Sequence, residues 1–308
     1  MQVIYSLSEK IVLKSNRSVL TIGSYDGIHC GHKKIITGMR TAAMKYDVSS
    51  VLITFHPHPR TILTPHIPVE YLTTIEEKLN ILQRLELDIV TVFPFSHEFS
   101  QTPAHEFIRK VVTVFKPIEL WVGSDFGLGK GRKGNVDYLH SFGSTLGYKL
   151  QVIDLRKNDN QPVSSTNIRQ ALKLANIKKA TKLLGEYPLL LGQVVEGAKR
   201  GRKLGFPTAN IQIDKHKLLP PNGVYAVWLK VDDRTYQGVA NIGTRPTFDT
   251  KEQTLEVYIF DFNQNIYGKK VCVYYVEYIR KEQKFHDTRA LIAQIRHDVA
   301  QARDILEK

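Results

Sequence analysis

Residues Thr21–Ile36 read TIGSYDGIHCGHKKII, and this stretch decides the fold of the N-terminal half. The apolar run VLTI (Val19–Ile22) has the character of a buried strand, while Gly23 and Gly27 permit turns that a bulkier residue would strain. The periodic segment that follows predicts a helix opening with two histidines three residues apart, His29 and His32, on one face. A strand, a glycine turn and a helix start together form a phosphate site, because the first N–H groups of a helix are unsatisfied and carry partial positive charge. Imidazoles added there could hold charge that builds on a transferring phosphoryl group. Zinc is the weaker reading: no cysteine pair lies nearby, Cys30 faces away by helical spacing, and Asp26 would have to complete the ligand set.

Working outward, Ser18 to about Glu186 alternates short apolar runs with longer periodic stretches. VLTI precedes Lys33–Lys45, SVLITF precedes Ile75–Leu87, DIVTVF precedes Ala104–Phe115, and IELWVG and KLQVIDL follow. Such alternation predicts an α/β domain: a Rossmann-like parallel sheet with helices on both faces and ligands at the carboxyl ends of the strands. The pattern changes near Gly185–Leu191. Beyond it LLGQVVEG, VYAVWLKV, TYQGVANIG, TLEVYIFDF and KKVCVYYVEYI, split by glycine and proline, predict a small antiparallel β-barrel. One helix closes the chain, with Asp287 as its N-cap and Leu291, Ile295, Val299, Ala302 and Leu306 as its apolar stripe. The expected domains are residues 1–186 and 187–308.

At 308 residues, two domains with separate cores are the default, and 42% apolar with 24% charged residues is an ordinary globular composition. No run approaches the roughly 20 apolar residues that span a bilayer. The opening MQVIYSLSEKIVL lacks a basic segment followed by a long apolar core, and two cysteines do not make a disulfide framework, so a soluble cytoplasmic protein is expected. The net charge of +13 divides into +8 for residues 1–186 and +5 for 187–308. Neither half is a basic arm. The densest clusters, Lys130/Arg132/Lys133 and Lys199/Arg200/Arg202/Lys203, are interleaved with glycine, which suits loops closing over phosphates as well as solvated surface. Small polyanionic substrates are therefore expected as partners, with no nucleic acid and no membrane; the oligomeric state is not fixed by the sequence.

Two further motifs carry chemistry. In PVSSTNIR (Pro162–Arg169) the hydroxyls of Ser164, Ser165 or Thr166 can cap the following helix, or they and Arg169 can close on a nucleotide from the side opposite the histidines. In GAKRGRKLGFPTANI (Gly197–Ile211) the glycines, Gly197 and Gly205 among them, allow close approach to a phosphate, and basic residues such as Lys203 balance charge. Thr208 and Asn210 there offer oxygen ligands for a hard cation such as Mg2+. An ordinary polar β-turn is the alternative for that loop.

GSYDGIHCGH followed by VSSTNIR resembles the adenylyltransferase module of bifunctional riboflavin kinase/FMN adenylyltransferases, a branch of the HxGH nucleotidyltransferases. TFHPHPRTIL (Thr54–Leu63), YLTTIEEKLNIL (Tyr71–Leu82) and VGSDFGLGKGRKGN (Val122–Asn135) extend the resemblance over nearly the whole module. It implies transfer of AMP from ATP to FMN, giving FAD and pyrophosphate. His29 and His32 would contact the ATP phosphates, Gly23, Ser24, Tyr25 and Asp26 would line the site, and Ser164, Ser165, Thr166 and Arg169 would close it. His56 and Asp125 would be weaker flavin-side positions. Many members carry asparagine where this sequence has Asp125, and a carboxylate accepts hydrogen bonds but cannot donate them.

GFPTAN with NGVYAV, GVANIGTRPTF, LEVYIFDF, YGKKVCV and IRKEQKF likewise resembles the riboflavin kinase domain almost end to end. The resemblance implies a six-stranded barrel that phosphorylates riboflavin with MgATP. Thr208 and Asn210 would hold Mg2+ and phosphates, and Glu256 would be the base for the attacking hydroxyl. The expectation is a bifunctional enzyme with riboflavin, FMN and FAD as substrate, intermediate and product. Its rivals are a chain with one module impaired, an HxGH enzyme acting on another phosphate, and a flavin-sensing regulator that binds nucleic acid.

Overall fold

All five residues of the strand Ser18–Ile22 are buried, which explains why apolar residues do not alternate with exposed ones along it; its two polar residues, Ser18 and Thr21, donate to the Phe115 and Trp121 carbonyls. In the computed structural model, which describes residues 1–154, 163–197, 199–246 and 251–308, this strand lies at the heart of a six-stranded sheet. The strands are β1 (Gln2–Ile4), β2 (Ser18–Ile22), β3 (Ser49–His56), β4 (Ile89–Pro94), β5 (Pro117–Gly123) and β6 (Lys149–Ile153). They are all parallel, in the order β1-β4-β3-β2-β5-β6. The chain builds outward from β2 to β3 and β4, then returns to β5 on the other side of β2. The carboxyl end of β2 is thus a topological switch point, where open α/β sheets leave a crevice for ligands.

Helices α1 (Cys30–Tyr46), α2 (Ile75–Arg84), α3 (Ala104–Phe115) and α4 (Val136–Leu146) connect the strands. In α3 the buried residues Ala104, Phe107, Ile108, Val111 and Phe115 recur at helical spacing and pack with Leu20, Ile22, Val51 and Ile53 of the sheet. Each large side chain so buried contributes about 1.5–3 kcal/mol. The helix stops where Lys116 turns left-handed and Pro117 begins β5.

The chain divides by compactness into two units, residues 1–70 with 78–164, and residues 71–77 with 165–308. The second unit thus contains α5 (Ser165–Lys173), α6 (Ile177–Leu184) and the first turn of α2 as well as the barrel. Its short segment 71–77 is fixed by Glu77, whose carboxylate meets the Lys217 ammonium at 2.7 Å and the Leu191 N–H at 2.9 Å, deep in the interior. The barrel strands are β7 (Leu189–Val195), β8 (Thr208–Ile211), β9 (Gly223–Val231), β10 (Arg234–Pro246), β11 (Lys251–Ile259) and β12 (Lys270–Arg280). They close in the order β8-β11-β10-β9-β12-β7, every pair antiparallel. The four-residue β8, inside the GFPTANI motif, is the strand that sequence alternation alone does not show.

Tyr225, Val227 and Leu229 of β9 are buried on one barrel face. Val224 and Ala226, on the other, are covered with Val239 and Phe260 by Ala302 and Leu306 of α7 (Thr288–Leu306). Asp287 caps α7 by accepting the Ala290 N–H at 2.7 Å, as its position predicts. Leu155 and Pro162, Ala198 of the basic loop, and Thr247 and Phe248 of GTRPTF lie outside the described residues.

Candidate active sites

The chain leaves β2 through a turn whose backbone is held in a costly shape. Tyr25, Gly27 and Ile28 all have positive φ, at 47°, 85° and 39°. For Tyr25 and a β-branched residue such as Ile28 that geometry costs on the order of 1–3 kcal/mol each and persists only where surroundings enforce it. Three contacts do so. The Tyr25 hydroxyl bonds Thr21, whose own hydroxyl donates to the Trp121 carbonyl at 2.7 Å. The Thr54 hydroxyl at the end of β3 donates to the Ser24 carbonyl at 3.1 Å, and the Lys78 ammonium from α2 donates to the same carbonyl at 2.6 Å. Gly23 fits because the Tyr25 ring passes over it: a Cβ there would come within 2.9 Å of the ring.

His29 caps α1, its Nδ1 accepting the His32 N–H at 3.3 Å. The helix therefore starts one residue after the first histidine, and the two imidazoles stack with centroids 3.6 Å apart at 13°. Tyr25 meets His32 edge-on at 5.0 Å. Burial pushes the His29 imidazole down to about 4, against the opposing effects of Asp26 and Asp125. His32 is held well below its ordinary value by burial, then by His29 and Lys78. Both rings are neutral at pH 7 and offer hydrogen bonds, not charge; the buried His32 Nδ1 has no partner among the described residues.

The cation of this cluster is Lys78, 5% exposed, with burial lowering it to about 8 and Asp26 acting in the opposite direction. Sequence reasoning missed it and Thr54. A signal existed: Lys78 occupies the same helical stripe as the buried Ile81 and Leu82, where an apolar residue is expected.

The remaining predicted positions of the first motif set lie on other elements. Asp125 is exposed after β5, its carbonyl accepting from Arg132 at 2.8 Å, and its carboxylate raises His29. His56 ends β3, exposed, before a cis bond to Pro57. Ser164 ends the first unit, while Ser165, Thr166 and Arg169 lie in the first turns of α5 within the second. Among the described residues no group of three His, Cys, Asp or Glu side chains could hold a metal.

In the barrel, Leu255, Val257 and Ile259 of β11 are buried, and Glu256 faces the other way, as alternation predicts. Register places Asn210 of β8 on one side of Glu256 and Asn241 of β10 on the other, so three adjacent strands present a carboxylate between two amides. This is the same outer face that carries Val224 and Val239 towards α7, since Val224 pairs with Asn241. The Thr208 hydroxyl donates to Glu256 Oε2 at 3.2 Å. Gly197 closes over Asn210, leaving no room for a side chain: a Cβ would lie 2.2 Å from the amide nitrogen. The structure thus brings together Gly197, Thr208, Asn210 and Glu256 and adds Asn241. Lys203 stands exposed on the short helix Arg200–Lys203, and Gly205 follows with φ 86°.

Residues 12–167 match the FAD synthetase family and residues 184–306 the riboflavin kinase family. The bifunctional riboflavin kinase/FMN adenylyltransferase of Bacillus subtilis is 35% identical over 93% of this chain and 92% of its own. Those of Escherichia coli K12 (35%, 93% and 92%) and Listeria monocytogenes (33%, 94% and 93%) are similar. Among solved structures, a Streptococcus pneumoniae protein described as a macrolide-efflux protein superposes with a TM-score of 0.87, at 30% identity and 98% coverage of both chains. No helix among the described residues is long and apolar enough to cross a membrane. With two family matches in tandem and relatives aligned nearly end to end, the chain belongs to the bifunctional riboflavin kinase/FMN adenylyltransferases.

Proposed function

We propose that residues 187–308 phosphorylate riboflavin and residues 1–186 adenylylate the resulting FMN, each with ATP. The observation that carries this reading is the presence of two unlike polar constellations in one chain of this family. One is an imidazole pair and a buried ammonium at a parallel-sheet switch point; the other is a hydroxyl, two amides and a carboxylate on a barrel face.

In the kinase step the ribityl hydroxyl oxygen attacks the γ-phosphorus of ATP, the bond from that phosphorus to ADP breaks, and the hydroxyl proton passes to the Glu256 carboxylate. Glu256 is suited to this because one oxygen is already oriented by Thr208 and its amide neighbours cannot compete for the proton. The hydroxyl of Thr208, the amide oxygen of Asn210 and the nearby carboxylate form a hard-oxygen set that fits Mg2+, which when bound neutralises phosphate charge. In the adenylyl step a phosphate oxygen of FMN attacks the α-phosphorus, and the α–β bridging bond breaks to release pyrophosphate. His29 and His32, neutral, donate N–H hydrogen bonds to the polyphosphate at the start of α1. Ser164, Ser165, Thr166 and Arg169 contribute hydroxyls and a guanidinium to nucleotide binding, and His56 and Asp125 belong to the flavin side.

The partners are these small molecules, and the location is the cytoplasm, in keeping with a sequence that holds only two cysteines, Cys30 and Cys272. Incubating the purified chain with riboflavin and MgATP, and separating the flavins by chromatography, is expected to give FMN and then FAD. Absence of both products would overturn the assignment.

A further inference from the structure

Lys78 is a buried ammonium to which neither the sequence motifs nor the two proposed reaction steps give a task. Its Nζ donates to the Ser24 carbonyl at 2.6 Å and to the Thr54 hydroxyl at 3.1 Å, and Thr54 itself donates to that same carbonyl. The Ser24 carbonyl therefore receives two hydrogen bonds, one from a charge. A trans peptide points its N–H opposite to its C=O, so this grip also fixes the Tyr25 N–H on the far side of the Ser24–Tyr25 peptide. That N–H meets no acceptor among the described residues, nor does the third N–H of Lys78. The peptide so held is the one that enters the strained turn at Tyr25, immediately before the stacked histidines.

We propose that Lys78 is the positioning residue of the adenylyl-transfer site: by holding the Ser24 carbonyl it aims the Ser24–Tyr25 peptide N–H at the nucleotide's phosphates and supplies the fixed positive charge behind the neutral histidines. The inference rests on the adenylyltransferase reading of this site. It follows from the arrangement that the Lys78 charge lies beneath the turn, where solvent cannot screen it, while the imidazoles contribute direction. The titratable groups facing the amine are Asp26 from the turn and His32 from α1.

The test uses the full chain. In Lys78→Met, kcat/KM for ATP in the conversion of FMN to FAD is expected to fall by about a hundredfold, as displacement of a reacting group by about 1 Å does. Phosphorylation of riboflavin in the same sample stays within twofold and reports an intact fold. In the wild type the adenylyl kcat/KM falls above about pH 8, where the free amine loses its proton, and that alkaline limb is absent from Lys78→Met. Lys78→Ala is expected to recover adenylylation on addition of ethylammonium but not of ethanol, and this rescue decides the matter if Lys78→Met does not fold. Adenylylation within threefold of wild type in Lys78→Met, or an unchanged alkaline limb, or equal response to ethylammonium and ethanol, overturns the proposal. A wild-type chain that makes no FAD from FMN would instead overturn the underlying reading.

Discussion

Gly197→Ala is the sharpest test of the barrel site, because the structure converts one methyl group into a displacement. A Cβ at residue 197 would lie 2.2 Å from Asn210 Nδ2 and 2.3 Å from its Cγ, where ordinary contact begins at 3.4 Å. The Asn210 amide must therefore retreat by about 1.2 Å, enough to cost about a hundredfold in rate when the displaced group is a ligand or a binding contact. Residue 197 does not have the positive φ that would strain an alanine backbone, so the effect is steric alone. Asn210 is only partly buried, so the overpacking costs about 1–3 kcal/mol of stability. Steady-state riboflavin phosphorylation is expected to fall by about that hundredfold in kcat/KM, with FMN adenylylation in the same preparation as the reference. Undiminished phosphorylation in a folded Gly197→Ala chain would refute the placement of Asn210 at the reacting phosphates.

Three other perturbations separate the parts. Glu256→Gln should lower riboflavin phosphorylation by about 10²–10⁴-fold while added FMN is still converted to FAD, as a flavin product assay will read. Acid should weaken the first unit through His29: its folded value of about 4 lies below the ordinary 6.5, so the unfolded chain binds the proton first. Stability from this group is complete above pH 6.5 and is lost as the pH falls towards 4, up to about 3 kcal/mol. Denaturant unfolding of His29→Asn, which keeps a helix-capping side chain, should show a shallower pH dependence in that window. Asp298→Ala removes the buried carboxylate that pairs with Arg280 at 2.7 and 2.8 Å and accepts from Gln294 at 2.9 Å. It should destabilise the barrel unit by about 3 kcal/mol in thermal unfolding, with α7 loosening first in hydrogen exchange.

Much of the fold was legible because burial leaves periodic marks. The α3 helix occupies the residues its stripe predicts, Ala104–Phe115, and α7 starts behind the cap that Asp287 promised. The edge strand β1 and the short β8 were not legible, since three or four residues carry too little periodicity to register. Nor does local pattern show that residues 71–77 group with the barrel, because the Glu77–Lys217 pair joins positions far apart in sequence.

The sites divide in the same way. Local motifs marked His29, His32, Thr208 and Asn210 as phosphate-site candidates, because chemistry at phosphates demands particular residue types at short spacing, while Glu256 was implied only through the resemblance to the riboflavin kinase domain. Only the tertiary structure decided that the histidines stack and stay neutral, that Asn241 flanks Glu256, and that Lys78 grips the turn at Ser24. Those facts depend on strand register and on burial, which set hydrogen-bond partners and desolvation, and neither is written in any contiguous stretch of the chain.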